Sequence, residues 1–216
     1  MMRLYDYWRS SAAYRVRIAL ALKGLDYRAV PVHLLKDGGE QHAAEYVRIN
    51  PQRLVPALEV DGALFTQSIA IIEYLDETHP APPLLPGGAA DRARVRAMAL
   101  AVAADVHPIQ NLRVLNYLRG VLHQPEDAVQ AWARHWIDAG LAALMTLVER
   151  APVQGRYCYG DAVTLADVVL APQMVNARRF GCDLGRLPRL VEIEHALLRL
   201  PAFKVNSPEV NPDGPA

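Results

Sequence analysis

The chain has 216 residues and 23.9 kDa, with 52% hydrophobic and 21% charged residues. That leaves room for one large domain or two small ones and excludes wholesale disorder. Lys plus Arg equals Asp plus Glu at 23 each, so no net field attracts a phosphate backbone or an anionic membrane, and neither nucleic acid nor a membrane is an expected partner. The opening Met1-Met2-Arg3-Leu4-Tyr5-Asp6 holds no apolar signal run, no uncharged stretch of about 18 residues could span a bilayer, and a cytoplasmic protein is expected.

Leu4, Tyr5, Tyr7 and Trp8 read as a strand, Arg9-Ser10-Ser11 as a turn, and Tyr14, Val16, Ala19, Leu20 and Leu22 as the apolar positions of a helix stopped at Gly24. Tyr27 to His33 reads as a second strand that Pro31 confines to an edge. A polar loop, Lys36 to Glu40, leads to a weak helix around Ala43 to Ile49, closed by Asn50-Pro51. Residues 54–60 and 63–66 flank Asp61-Gly62 and should form an antiparallel hairpin. Gln67-Ser68 should cap a helix from Ile69 to about His79, which completes a βαβαββα module over residues 1–80.

Residues 81–88, rich in Pro and Gly, read as a linker, and residues 89–216 as an all-helical domain with an irregular tail after Ala202. Helices are expected at 89–119, kinked at Pro108, and near 127–150, 164–180 and 187–200. Thr164 and Asp167 read as a capping box, a structural device whose loss should cost about 1 kcal/mol or more. Arg92, Arg94 and Arg96 read as a solvated helix start.

The stock phosphate-loop, dinucleotide, serine-hydrolase and zinc-protease motifs are absent. Cys158 and Cys182 form no C-x-x-C and have no His pair at ligand spacing, so neither a disulfide framework nor a metal site is expected, and both read as small buried apolar residues. Residues 1–157 contain no thiol. Sulfur chemistry there must import one.

The informative feature is Arg9-Ser10-Ser11 between strand and helix. Free N–H groups and the macrodipole of a helix start favour an anion, be it a phosphate, a carboxylate or a thiolate. The plain alternative is a serine that only caps its helix. Val55-Pro56 ahead of a strand and Gln67-Ser68 at another helix start add a second such terminus in the same module.

The segments S-S-A-A-Y-R-V-R-I-A-L-A-L-K-G, N-P-Q-R-L-V-P-A-L, Q-S-I-A-I-I-E-Y-L and T-L-A-D together resemble the zeta class of the cytosolic glutathione transferases, and the resemblance runs to V-N-A-R-R-F near position 180. It implies an α+β thioredoxin-like N-terminal domain, an all-α C-terminal domain, a homodimer and glutathione as cofactor. By motif, Ser10, Ser11 and Arg15 would lie around the cofactor thiol, and Val55 before a cis-Pro56 would meet its cysteinyl part. Gln67 and Ser68 would hold the γ-glutamyl end, while Gln41, His107, Asn111 and Arg113 would add further cleft contacts. Arg9 and Arg179 would receive the carboxylates of a small dicarboxylate keto-acid; on residue grounds alone Arg179 could instead serve the helix dipole and Arg178 be a solvated charge.

The class implies cis–trans isomerisation of a maleyl keto-acid by reversible thiolate addition, with maleylacetoacetate going to fumarylacetoacetate. Maleylpyruvate isomerisation, general glutathione transfer and a non-catalytic binding role are the alternatives. Lowering a thiol pKa from about 8.5 to about 7 needs roughly 2 kcal/mol, within reach of a helix N-terminus plus one hydroxyl donor. The chain departs from the class at Ala12, where most members carry Cys, which puts in doubt any side activity that uses that cysteine, and at His107, where many animal members carry Gln.

Overall fold

The computed structural model describes residues 1–208 and 210, and they divide into two units, Met1–Pro83 with the chain from Leu200, and Leu84–Arg199. The remainder of the expected irregular tail, residues 209 and 211–216, lies outside the described residues.

In the first unit, strands β1 (Met2–Asp6), β2 (Tyr27–Pro31), β3 (Ala57–Val60) and β4 (Ala63–Thr66) form one sheet in the order β2-β1-β3-β4. β1 pairs parallel with β2 and antiparallel with β3, and β3 pairs antiparallel with β4. Pro31 ends an edge strand, where its missing N–H costs no ladder bond. Asp61 and Gly62, at φ 49° and 84°, make the tight turn that the right-handed twist of the two strands selects.

Helices α1 (Ser11–Leu22), α2 (Ala44–Ile49) and α3 (Ser68–Thr78) complete the βαβαββα order. α1 ends with Leu25 N–H on the Leu20 carbonyl (2.9 Å) and Gly24 N–H on that of Ala21 (3.2 Å), the paired bonds of a Schellman stop. The sheet alternates as a pleat must: Tyr5, Tyr7 and Ala57 join Val32, Tyr46 and Val55 in one apolar cluster, while the cross-strand partners Leu4 and Leu58 are buried on the other face.

The chain from Leu200, expected with the helical domain, groups instead with the first unit. It is not simply irregular, because residues Pro201–Lys204 form a short helix that buries Phe203. Tyr14 O–H donates to the Phe203 carbonyl (2.5 Å), and Arg17, buried against Asp6 (2.7 Å), also donates to the carbonyls of Trp8 and Asn206 (3.0 and 3.1 Å). A buried guanidinium with a carboxylate and two carbonyls meets the hydrogen-bond demand that would otherwise make its burial costly.

The second unit is helical: α4 (Ala89–Leu100), α5 (Leu112–Gly120), α6 (Glu126–Glu149), α7 (Leu165–Arg179) and α8 (Pro188–Leu197). The single kinked rod expected over 89–119 is instead broken. α4 runs into a wider-wound π segment, Ala101–Val106, and the chain leaves helical pairing between His107 and Asn111, because Pro108 has no N–H to continue the ladder. Asn111 restarts it, its side-chain oxygen accepting from the Arg113 N–H (3.2 Å).

The Thr164–Asp167 capping box is present and larger than expected. Asp167, fully buried, accepts from the Thr164 N–H and hydroxyl and from the Cys158 N–H, each at 2.8 Å. Cys158 is buried as expected, its thiol pushed well up by burial beside that carboxylate, whereas Cys182 is only half-buried. Arg178, read as a solvated charge, is 45% exposed but also pairs with the carboxylate of Glu194, which is 1% exposed.

Candidate functional site

Ser10 sits in extended backbone and caps α1, its Oγ accepting from the Ala13 N–H at 3.2 Å. The hydroxyl proton remains to be donated, and the N–H groups of the first turn have no intrahelical acceptor. Ser11 begins the helix and is buried, and Arg9, half-buried, holds its Cζ 5.5 Å from the centre of the Trp8 ring. The sequence between a short strand and an alternating apolar helix thus leaves a polar turn where anion-stabilising groups collect.

Arg15, one turn further along α1, is 1% exposed, and burial pulls its guanidinium down to about 10. Its Nη1 donates to Ser68 Oγ at 3.3 Å, while Nε and Nη2 have no hydrogen-bond partner among the described residues. Ser68 is the first residue of α3, so a buried cation joins the start of one helix to the start of another. Two helix starts far apart in sequence are thereby bridged, and their field favours a negative charge.

Gln67 was expected to help cap α3, and its side chain makes no cap bond. It stands instead at φ 69°, ψ 115°, a conformation that costs a side-chain-bearing residue about 1–3 kcal/mol, and its Nε2 donates to Gln52 Oε1 at 2.8 Å. Gln52 lies on the turn after α2, within the N-P-Q-R-L-V-P-A-L segment. Val55-Pro56 is a cis peptide bond, and among the described residues no turn, cap or side-chain hydrogen bond engages the Val55 N–H or carbonyl. Gln41 lies buried in a single turn, Glu40–His42, with its Oε1 unpartnered among the described residues.

The helical unit carries the other expected residues. His107 follows the π segment, and its two ring nitrogens lie 3.5 Å from the amide nitrogens of Gln110 and Asn111. Asn111 doubles as the α5 cap, and Arg113 is exposed in the first turn of that helix. Arg179 is exposed at the last position of α7, its Cζ 5.5 Å from the Phe180 ring centre. Its neighbour Arg178 is committed to Glu194, which separates the two arginines by role although they adjoin in sequence.

Comparison with known proteins gives this geometry a family. Residues 1–77 match the glutathione S-transferase N-terminal domain family. A protein of Vibrio cholerae named probable maleylacetoacetate isomerase is 52% identical over 97% of each chain. The holo structure of a maleylpyruvate isomerase, described as a bacterial zeta-class glutathione S-transferase, superposes with a TM-score of 0.95 at 45% identity, covering 99% of this chain and 100% of the other. A maleylacetoacetate isomerase from Methylobacterium extorquens AM1, solved with malonate and glutathione bound, superposes with a TM-score of 0.94 at 40% identity, covering 99% and 100%. The chain therefore belongs to the zeta class of the glutathione transferases.

The residues present fit glutathione. An unmet buried amide oxygen on Gln41, two open helix starts and a buried uncompensated cation suit a peptide that carries carboxylates and an acidic thiol.

Proposed function

We propose that this chain is a glutathione-dependent cis–trans isomerase of a maleyl keto-acid, with maleylacetoacetate as first substrate and maleylpyruvate as the alternative. The observation that carries the reading is the joining of the α1 and α3 starts through Arg15 and Ser68 in a module without a thiol of its own, within a chain that is similar over 97% of its length to a protein named probable maleylacetoacetate isomerase.

Bound glutathione supplies a thiolate that adds reversibly to the maleyl double bond, so that the bond can turn before the sulfur departs. Ser10 donates a hydrogen bond from its hydroxyl to that sulfur, a task left open because its oxygen already accepts from Ala13. The N-terminus of α1 adds about 0.3–1 kcal/mol of preference for the charged form, more where water is excluded, and a hydroxyl donor roughly 1.5–3. Ser11 supports the same turn.

Val55, before Pro56, offers its backbone N–H and carbonyl to the cysteinyl part. Gln67 and Ser68 hold the γ-glutamyl end, with Arg15 acting through Ser68 rather than by contact. Gln41, His107, Asn111 and Arg113 belong to the same reading as further glutathione contacts. Arg9 and Arg179 bind the carboxylates of the keto-acid and stabilise charge that develops on its conjugated oxygen, for which a planar, permanently charged fork is well suited.

A homodimer, as the class implies, and a cytoplasmic setting complete the proposal. No helix among the described residues is long and apolar enough to cross a membrane, and neither cysteine is in a disulfide. The deciding experiment assays maleylacetoacetate and maleylpyruvate with and without added glutathione. Turnover only with glutathione is expected, and undiminished isomerisation by the dialysed protein would overturn the reading.

A further inference from the structure

His33 lies just beyond the edge strand β2. Its Nδ1 accepts two backbone N–H groups, from Leu35 at 3.2 Å and from Lys36 at 2.8 Å. An acceptor at Nδ1 requires the neutral ring with its proton on Nε2. The ring edge rests on Tyr7, centroids 5.1 Å apart. The same residue is gripped through its backbone: the His33 N–H donates to Glu40 Oε2 at 2.7 Å, and the Glu40 N–H returns to the His33 carbonyl at 2.8 Å. The loop 33–40 is thereby closed at both ends.

The residue that follows is Gln41. Its amide is held from several sides: Nε2 donates to the Leu34 carbonyl at 3.4 Å, inside the closed loop, and lies 3.2 Å from Nε2 of His42. Gly39, at φ 104°, lies so close that a Cβ there would stand 2.5–2.8 Å from the Gln41 amide group. The backbone conformation at Gly39 is itself one that a residue with a Cβ adopts only under strain. What remains is Oε1, buried and unmet among the described residues, a condition that a donor from a bound peptide would relieve.

We propose that His33 is a positioning residue for glutathione, closing the 33–40 loop through Nδ1 so that Gln41 is held ready for the tripeptide. The inference rests on the reading of Gln41 as a glutathione contact. It assigns His33 no part in the chemical step, so its loss should tell on glutathione binding and not on turnover once glutathione saturates.

Two substitutions separate this role from mere packing. His33→Phe keeps a flat ring against Tyr7 and removes the acceptor. His33→Asn loses the ring but restores an oxygen that can accept from the N–H two residues on, as in an Asx turn. Calorimetric titration with reduced glutathione, and kcat at saturating glutathione, are measured for each. His33→Phe is expected to weaken glutathione binding about tenfold with kcat within about twofold of the parent, and His33→Asn to bind within about twofold.

In a double-mutant cycle, adding Gln41→Ala to His33→Phe should cost much less than Gln41→Ala does alone. Should His33→Phe not fold, Glu40→Ala opens the same loop from its other end and is expected to reproduce the loss. Wild-type affinity in His33→Phe or Glu40→Ala, equal weakness in His33→Asn and His33→Phe, or strict additivity with Gln41→Ala overturns the inference. A parent protein that fails to bind glutathione at all overturns the underlying site reading as well, so the two failures are told apart.

Discussion

Arg15 and Ser68, 53 positions apart, meet in the interior of the first unit, where guanidinium Nη1 donates to the serine oxygen at 3.3 Å and two further guanidinium nitrogens go unmet among the described residues. A buried cation without a carboxylate is an expensive element, and burial has drawn its pKa down to about 10. Its retention is explained if its field and its grip on Ser68 serve a bound anion.

Arg15→Met, close in shape and uncharged, should therefore raise the stability of the ligand-free protein by about 1–3 kcal/mol while weakening glutathione binding roughly tenfold. Urea unfolding and calorimetric titration on the same preparation check both signs. A variant that is less stable and binds normally would place Arg15 in the scaffold alone.

Ser10→Ala should shift the titration of glutathione-bound thiol upward by about 1–2 pH units and also cost about 1 kcal/mol of stability, since the hydroxyl is both the proposed donor to sulfur and the observed cap on Ala13. Ser11→Ala leaves the cap intact and should shift the thiol less. Thiolate ultraviolet absorbance against pH, with thermal unfolding alongside, separates the two functions of Ser10.

The adjacent arginines of α7 should behave oppositely. Arg179→Ala is expected to lower kcat/KM for the keto-acid about ten- to a hundredfold with glutathione affinity and stability nearly unchanged, and Arg9→Ala likewise, with Lys rescuing either only in part. Arg178→Ala leaves the buried Glu194 carboxylate without its partner and should cost about 2–3 kcal/mol of stability, below the figure for a wholly buried pair because Arg178 is 45% exposed. Loss of glutathione affinity in Arg179→Ala with an intact isomerase constant would reverse the assignment.

Asp167→Ala removes an acceptor from three donors and should destabilise by about 3 kcal/mol or more, beyond the single cap that Thr164 and Asp167 suggest by spacing. Burial raises the Asp167 pKa above 3.8, so the folded chain holds that proton more tightly than the unfolded one. Its contribution is then fullest below the unfolded value and is lost as pH rises through the folded one, and its titration opposes acid unfolding. Stability of parent and variant compared from neutral pH down to about 4 should show the gap between them widening as pH falls, a trend that a constant gap would refute.

What could be read from the sequence was what neighbouring residues decide among themselves. Ser10 caps α1 because its own backbone and the N–H three residues on settle that bond, Asp61-Gly62 turns because both residues tolerate positive φ, and Pro108 interrupts its helix because it lacks a donor. Each of those outcomes is fixed within about four residues, a range over which a linear pattern carries the physics. Gln67 marks the edge of that legibility, since a residue expected to help cap α3 took a strained backbone and a side-chain bond to Gln52 instead.

Tertiary structure alone decided which distant groups share a buried volume. The union of Arg15 with Ser68, the commitment of Arg178 to Glu194 and the return of residues 200–208 to α1 join positions 16 to 189 residues apart, and no local spacing announces them. His33 could have been noticed as an acceptor ahead of two loop N–H groups, and Glu40 as its reciprocal partner, yet only the closed loop shows that the ring nitrogen serves the backbone. A buried polar group must find its partner wherever packing brings one, so the identity of that partner is a property of the folded chain and not of its order.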